Sequence, residues 1–538
     1  MELLQQYFDT AFAAPDGIPK LRELILKLAM QGKLVPQDPN DSPASELIRT
    51  IEAEKKWLVK ERKIKAPKTL PEVTASDEPY SLPHGWQWVR LGAIGNIFNG
   101  NSINASEKES KYAGVEGLPY IATKDVGYGF DPLDYDNGIC IPPDEEKFRI
   151  AHQGAVLICA EGGSAGKKCG LTDRDICFGN KLFANELYGQ IPSRFILYVY
   201  LSPAFRASFT AAMTGIIGGV SIAKFVEIPI PLPPLDEQHR IVARIDQLMA
   251  RCDALEALRK EREEKRQAVH AAAIQQLLSA PKGLAWDFIQ QHFGELYSVK
   301  ANVAELRKAI LQLAVMGRLA PQDPKDSPAS ELLKEIDAEK QRLVKAGKIK
   351  VPKPLPPINP EEVPYQLPQG WKWVRLGDLF RVASGNNLPK DKMLAGEIPV
   401  FGGNGITGYH NAANTDRPVI VIGRVGYYCG SIHLTPAKAW ITDNAFFTIY
   451  DEDRLDQAWV IWLLKTVNLQ ADTSSTAQPV ISGGKIYPIP IPLPPLPEQH
   501  RIVARIDQLM ALCDALEQNI SDATDKQTEL LRAVMAQV

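Results

Sequence analysis

The chain has 538 residues, more than one hydrophobic core organises, and 45% of them are hydrophobic, as in a folded protein. Its 61 basic and 64 acidic side chains leave a net charge of −3, and residues 93–225 (12 basic, 14 acidic) and 378–486 (9 basic, 10 acidic) are no more basic, so bulk charge does not announce a nucleic-acid binder. The opening MELLQQYFDTAFAAPDG has no basic region before an apolar run, and runs such as 195–201 are too short to span a bilayer, so a soluble, cytoplasmic chain with no membrane partner is expected.

In chain order, Leu21, Leu24, Ile25, Leu28 and Ala29 keep the i, i+3, i+4, i+7, i+8 spacing of an amphipathic helix that Gly32 and Pro36 close. Ser42-Pro43 opens a second helix, with serine as N-cap and proline at the first helical position. The proline-rich connector KAPKTLPEVTASDEPYSLP then delivers the chain to a Gly-Trp-x-Trp strand at Trp86 and Trp88. All of this returns 285 residues later, with Leu306, Ala309, Ile310, Leu313 and Ala314, then Ser327-Pro328, then Trp371 and Trp373. A second repeat, PLPPLDEQHRIVARIDQLMARCDALE from Pro231, returns as PLPPLPEQHRIVARIDQLMALCDALE from Pro492, displaced by only 261. The 24-residue difference falls between the repeats, in two stretches without comparable similarity. Each half therefore reads as a fixed frame around a variable insert.

The inserts are rich in glycine, β-branched and aromatic residues, with strand-like runs at 155–159, 419–422 and 445–450 and helical stretches at 192–212 and 455–467. Both read as α+β domains. After each, IPIPLPPL enforces an extended entry into a long helix beginning near Asp236 and Pro497. Ile241, Ile245, Leu248, Cys252 and Leu255, and Ile502, Ile506, Leu509, Cys513, Leu516 and Ile520, alternate steps of four and three, as in a coiled-coil seam. The expected fold is α+β: two such domains separated by an antiparallel pair of long coiled-coil helices, with a repeated helical segment before each domain. The boundaries are 1–80 helical segment, 81–235 first domain, 236–280 central helix, 281–365 helical segment and linker, 366–496 second domain, and 497–538 C-terminal helix.

No motif carries catalysis. GGSAGKK (162–168) lacks the first glycine and last hydroxyl of a phosphate loop, and the GxGxxG at 403–408 is followed by Tyr409-His410-Asn411 rather than a helix. No Asp/Asn-Pro-Pro-Tyr adenine-binding motif, HExxH or GxSxG occurs. Seven cysteines form no CxxC pair, so Cys252 and Cys513 read as buried hydrophobes; Cys159, Cys169 and Cys177 lack the spacing and histidine of a zinc site. His239 and His500 sit at equivalent helix starts, where capping or partner contact is expected.

The order LPxGWxWVxLG, insert, PLPPLxEQxxIVxxID helix, stated twice, resembles the specificity subunit of Type I restriction-modification enzymes. IPVFGGNGITGYHN, VIVIGRVGYYCGSIHL and ITDNAFF in the second insert, and LPYIATKDV, AVLICAEGGSAGK and CFGNKLFA in the first, are similar to that family's phrases. The resemblance implies a non-catalytic DNA-binding subunit whose two inserts are target recognition domains, each reading half of an asymmetric bipartite site, with paired helices setting the gap. It implies double-stranded DNA, two methyltransferase subunits and motor-nuclease subunits as partners, in a phage-defence system that methylates adenine or cleaves DNA. It further implies that this chain binds no cofactor or metal, with S-adenosylmethionine, Mg and ATP expected in the partners. Residue chemistry makes Lys124, Lys167, Lys168, Asn180, Lys181 and Lys224 in the first insert, and Asn404, Gly405, Arg424, Tyr427, Lys438 and Asn444 in the second, candidate DNA contacts. Arg240, Arg244, Arg501 and Arg505, off the helix seams, are candidates for holding a partner subunit. Trp86, Trp88, Trp371 and Trp373 are expected as core anchors. The competing function is a bivalent protein-binding scaffold; an enzyme with an unrecognised site is a third reading.

Overall fold

The computed structural model describes residues 2–64, 66, 68–214, 218–279, 284–347, 351–426, 428–470 and 480–537, with side chains from residue 7 onward. Contacts divide the chain into two compact units, Met1–Glu261 with Thr524–Val538, and Arg262–Ala523. Both boundaries fall inside a long helix, Leu235–Ser279 of 45 residues and Leu496–Ala536 of 41. At 1.5 Å per residue each is roughly 60–70 Å long. Each unit thus holds the start of one helix and the end of the other. In the first unit Leu531 and Val534 are buried with Phe12 and Leu24; in the second, Ala273 and Leu277 share the core of Ile310 and Cys513.

The start of each helix stripe is also used locally. Ile241, Ile245 and Cys252 lie in one core with Ile25, Trp86 and Leu91, and Ile502, Ile506 and Cys513 lie with Ile310, Trp371 and Leu376. The seam is therefore covered by the unit's own frame where the helix begins. Arg22 bridges to Asp253 and Glu256, and Arg307 to Asp514 and Glu517, fastening the first repeated helix to the long one in both units.

The repeated motifs acquire physical roles. Helix Gly17–Met30 ends with Gly32 at φ +67°, Gly32 N–H on the Ala29 carbonyl and Lys33 N–H on that of Leu28; Gly317 and Arg318 repeat this after Lys300–Val315. This is the paired bonding of a Schellman stop, which favours glycine. The second helices start one residue later than expected, at Ala44 and Ala329, with Pro43 and Pro328 at the cap. Ser42 and Ser327 make no cap. Instead the Ala44 and Ala329 amides donate to the Gly85 and Gly370 carbonyls at 2.8 Å, tying each helix to the turn before Gly-Trp-x-Trp.

Each insert is closed by a two-stranded antiparallel ribbon, Gln87–Arg90 with Pro229–Leu232 and Lys372–Arg375 with Pro490–Leu493. Prolines fit there because such a strand has a free edge. The adjoining Glu-Gln locks the ribbon to the helix. Trp86 Nε1 donates to buried Glu237 and Trp371 Nε1 to buried Glu498, each at 2.8 Å; Gln238 and Gln499 donate to the carbonyls of Pro233 and Pro494. Arg375 binds both Glu362 oxygens and the Pro356 and Pro357 carbonyls, pinning the proline-rich connector as Arg90 does through Asp77 and Pro71. Trp86, Trp88 and Trp371 are buried and Trp373 half-buried, packed against Tyr365.

The two inserts, dissimilar in sequence, share one core. In the first, strands Gly95–Asn99, Leu182–Leu187, Val156–Cys159 and Cys169–Leu171 lie side by side in that order; in the second, Arg381–Ser384, Ala445–Ile449, Ile420–Gly423 and Ile432–Leu434 do the same, all antiparallel. A second sheet in each has a parallel pair, Ile121 beside Phe178 and Phe401 beside Ile441. The helical stretch expected at 192–212 is two helices, Ser193–Leu201 and Pro203–Ala212. Pro203 cannot continue the first, and Ser202 caps the second.

Candidate nucleic-acid interface

Backbone hydrogen bonds superimpose the inserts residue by residue. Asn101 N–H donates to the Phe178 carbonyl as Asn386 does to Ile441; Gly179 to Ile121 as Thr442 to Phe401; Ala160 to Lys181 as Arg424 to Asn444; Val220 to Ala160 as Ile481 to Arg424. The displacement runs from 285 at Asn101/Asn386 to 280 at Ile121/Phe401, 264 at Ala160/Arg424, 263 at Lys181/Asn444 and 261 at Val220/Ile481. Sixteen of the 24 extra residues therefore lie between Ile121 and Ala160. In this register Lys181 occupies the position of Asn444, while Lys124 lies on the longer connection that stands in place of the Gly403-Asn404 turn. Lys124, Lys181, Asn404 and Asn444 are all exposed at loops leaving the core strands.

In the second insert Asn404 and Asn444 line one cleft of about 310 Å³ with Val425, Gly426 and Tyr428. Gly405 has φ +81°, a left-handed turn, and an added Cβ would lie 3.0 Å from the His433 ring. Arg424 does not enter the cleft as a free cation. Its guanidinium reaches Ser384 Oγ and the Asp443 carbonyl, both at 3.3 Å, and stacks over Phe446, so it props the turn that presents Asn444. Lys438 is exposed on the loop before Trp440–Ile441, outside the cleft. Tyr427 lies outside the described residues.

In the first insert Asn180 lines a cleft of about 610 Å³ with Asn99, Glu161 and Ser221, and Lys181 follows it. Lys224 is exposed one turn along helix Ile222–Val226. Lys168 is half-buried, donating to the Thr123 carbonyl and lying over Tyr128, which leaves it little freedom. Exposed Lys167 stays over its own turn, on the Gly163 carbonyl. Across a further cleft of about 550 Å³ from Lys167 stands Arg206, a cation the sequence did not single out because only the fold brings its helix to the glycine turn. Glu161 is likewise a lining residue that sequence pattern does not mark.

Burial pushes the thiols of Cys159, Cys169 and Cys177 up, the second to about 12 and the third to about 11, which disfavours them as thiolate nucleophiles. Among the described residues no group of His, Cys, Asp and Glu could hold a metal, and no helix is long and apolar enough to cross a membrane.

Of the four helix arginines, Arg240 and Arg501 are held by the half-buried carboxylates Asp41 and Asp326. Among the described residues Arg244 and Arg505 reach only Gln247 and Gln508, one turn along the same helix, on an exposed face. His500 lies 3.6 Å from Asp456; His239 is exposed.

The family profile described as Type I restriction modification DNA specificity domain matches residues 83–264 and 368–524, once around each insert and the helix after it. The chain belongs to the Type I restriction-modification specificity-subunit family. As a member it is a non-catalytic subunit, and its two sheet-rich inserts stand where the family has its target recognition domains. It is 35% identical to the Type I restriction enzyme EcoAI specificity subunit of Escherichia coli, over 96% of this chain and 92% of that one. Identity to the EcoEI specificity subunit of the same species is 32%, over 96% and 93%. A solved chain from work on assembly and conformational transition of the type I R-M system aligns over 85% of this chain and 98% of its own, at 19% identity and a TM-score of 0.49.

Proposed function

We propose that this specificity subunit reads an asymmetric bipartite DNA sequence, one half per insert, and directs adenine methylation or cleavage by partner subunits. The observation that carries the reading is the shared backbone of the two inserts with different side chains at an equivalent exposed position, Lys181 against Asn444. One fold offering two chemistries suits two unlike half-sites. The segments 81–235 and 366–496 are the reading domains. The long helices (236–280, 497–538) are the spacer, and the helical segments 1–80 and 281–365 brace them.

Asn404 and Asn444 are assigned to base edges, where an asparagine amide pairs with adenine N6 and N7, and Asn180 to the same role. Gly405 shapes the turn for them. Lys124, Lys167, Lys181, Lys224 and Lys438 contact phosphates, which position the protein without specifying sequence. Lys168 and Arg424 act through the loops they hold, and Tyr427 remains a proposed contact. Two methyltransferase subunits and the motor-nuclease subunits supply S-adenosylmethionine, Mg and ATP chemistry. Arg244 and Arg505, in matching exposed places, are assigned to the methyltransferases, while Arg240 and Arg501 brace their own units.

The test is single-base methylation mapping of DNA from cells that express this chain with its neighbouring methyltransferase, against the methyltransferase alone. A new split motif with adenine methylated on both strands, losing one half when one insert is exchanged, is the expected result. A co-purifying active methyltransferase with no chain-dependent motif would refute the reading.

A further inference from the structure

Glu161 stands where the buried strand Val156–Cys159 emerges, with its backbone bridged to Gly219 and its side chain exposed over the 610 Å³ cleft beside Asn99 and Asn180. Its surroundings are cationic. Lys168 and Lys181 both act electrostatically on the neighbouring Cys159, and Lys167 and Arg206 line the cleft at the other side of the 162–166 turn. Among the described residues no Lys, Arg or His forms an ion pair with Glu161. A carboxylate at a surface that meets phosphates opposes binding unless it accepts a hydrogen bond there, and an ionised carboxylate can only accept. In the major groove the base donors are exocyclic amino groups, cytosine N4 and adenine N6.

The equivalent position in the second insert is Val425, one residue past Arg424 and bridged to Val480 as Glu161 is to Gly219. Val425 lines the cleft between Asn404 and Asn444. An apolar side chain there meets a thymine methyl, not a donor. The position is thus fixed by the shared core, faces a cleft in both inserts, and differs in chemistry between them.

We propose that this position reads a base in each half-site, and that Glu161 specifies its base by accepting a hydrogen bond from an exocyclic amino group. The inference rests on the DNA-recognition reading above. The experiment is the same methylation mapping with the full chain carrying Glu161→Gln or Glu161→Val, beside the unchanged chain. Preference at one position of the half-site read by the first insert, cytosine or adenine, should fall about 5- to 150-fold, the range for one good base contact. Cytosine at that position identifies N4 as the donor and adenine identifies N6. The half-site of the second insert should be unaltered, which also reports that the variant is folded. An unchanged motif in both variants, or a uniform gain at all sites from loss of one negative charge, would overturn the assignment of Glu161 alone. Absence of any motif with the unchanged chain would remove the DNA reading and this inference together.

Discussion

The two Trp-Glu pairs are copies in sequence but not in their hydrogen bonding, and this yields a quantitative contrast. Glu237 accepts from Trp86 Nε1 on one oxygen and from Gln37 Nε2 at 3.1 Å on the other. Glu498 accepts from Trp371 Nε1 on one oxygen, while its other oxygen is buried without a partner among the described residues. Gln322, the counterpart of Gln37, donates instead to the Gly317 carbonyl. Replacing each tryptophan by phenylalanine removes the same N–H and the same ring volume, so the carboxylate's remaining partners decide the difference. A hydrogen bond to a charged group contributes about 1.5–3 kcal/mol, and a carboxylate left with none costs the upper part of that range. Trp371→Phe should therefore destabilise its unit by about 1–2 kcal/mol more than Trp86→Phe does. Burial raises both carboxyls above the ordinary glutamate range. The native state then holds the proton at pH values where the unfolded chain has released it, so the stabilising contribution of the protonated form is lost as pH rises above about 4.5. Removing the tryptophan donor raises the Glu498 carboxyl further, so the excess loss in Trp371→Phe should shrink as pH falls towards 4.5. Hydrogen exchange of ribbons 87–90/229–232 and 372–375/490–493 across a urea series measures each unit separately. Equal losses in the two variants, or an excess indifferent to pH, would refute the reasoning.

Lys167→Ala with Arg206→Ala should weaken binding to all sequences alike and lower the slope of log K against log salt by about 2, at roughly 0.9 per phosphate contact; an unchanged slope in fluorescence titrations removes the phosphate role. Glu362 is held at about 2, first by the Arg375 side chain. Its contribution is present above the unfolded pKa near 4.5 and is lost as pH falls from there towards 2, so the connector at 351–368 should become protease-sensitive on acidification, and Glu362→Gln should already be sensitive at pH 7. Adding seven helical residues at both unit boundaries, 261/262 and 523/524, lengthens the spacer by about 10 Å. The mapped gap should grow by about three base pairs at 3.4 Å each, with both half-sites unchanged; a constant gap would show that the helices do not set it.

The frame was legible because it is written twice: a repeated Trp, Glu, Gln or Gly at a fixed displacement marks a shared contact before the contact is known. The common fold of the inserts was not legible, because what they share is backbone hydrogen bonding, which constrains side chains little, at a displacement that drifts from 285 to 261. Loop chemistry pointed to exposed positions, and of these Lys181 and Asn444 coincide in the aligned cores. It did not foresee the acceptors of Lys168 and Arg424, the carbonyls of Thr123 and Asp443, which are 45 and 19 residues away and become neighbours only when the sheets form. The ion pairs of Arg240 and Arg501 were hidden for the same reason: Asp41 and Asp326 are distant in sequence and adjacent in space.

The twin ribbons also impose an order of folding. Strand 372–375 must find 490–493, which is 118 residues away, but the nearly identical 229–232 lies only about 140 residues behind it. Loop-closure entropy grows so slowly with length that it separates those two choices by only about 0.2 kcal/mol. Correct pairing must come from elsewhere. A structured insert holds its own two ends side by side, so each insert has to collapse before its ribbon zips. During synthesis, the first ribbon must already be closed when the second copy of Gly-Trp-x-Trp emerges, or the chain will join the wrong halves.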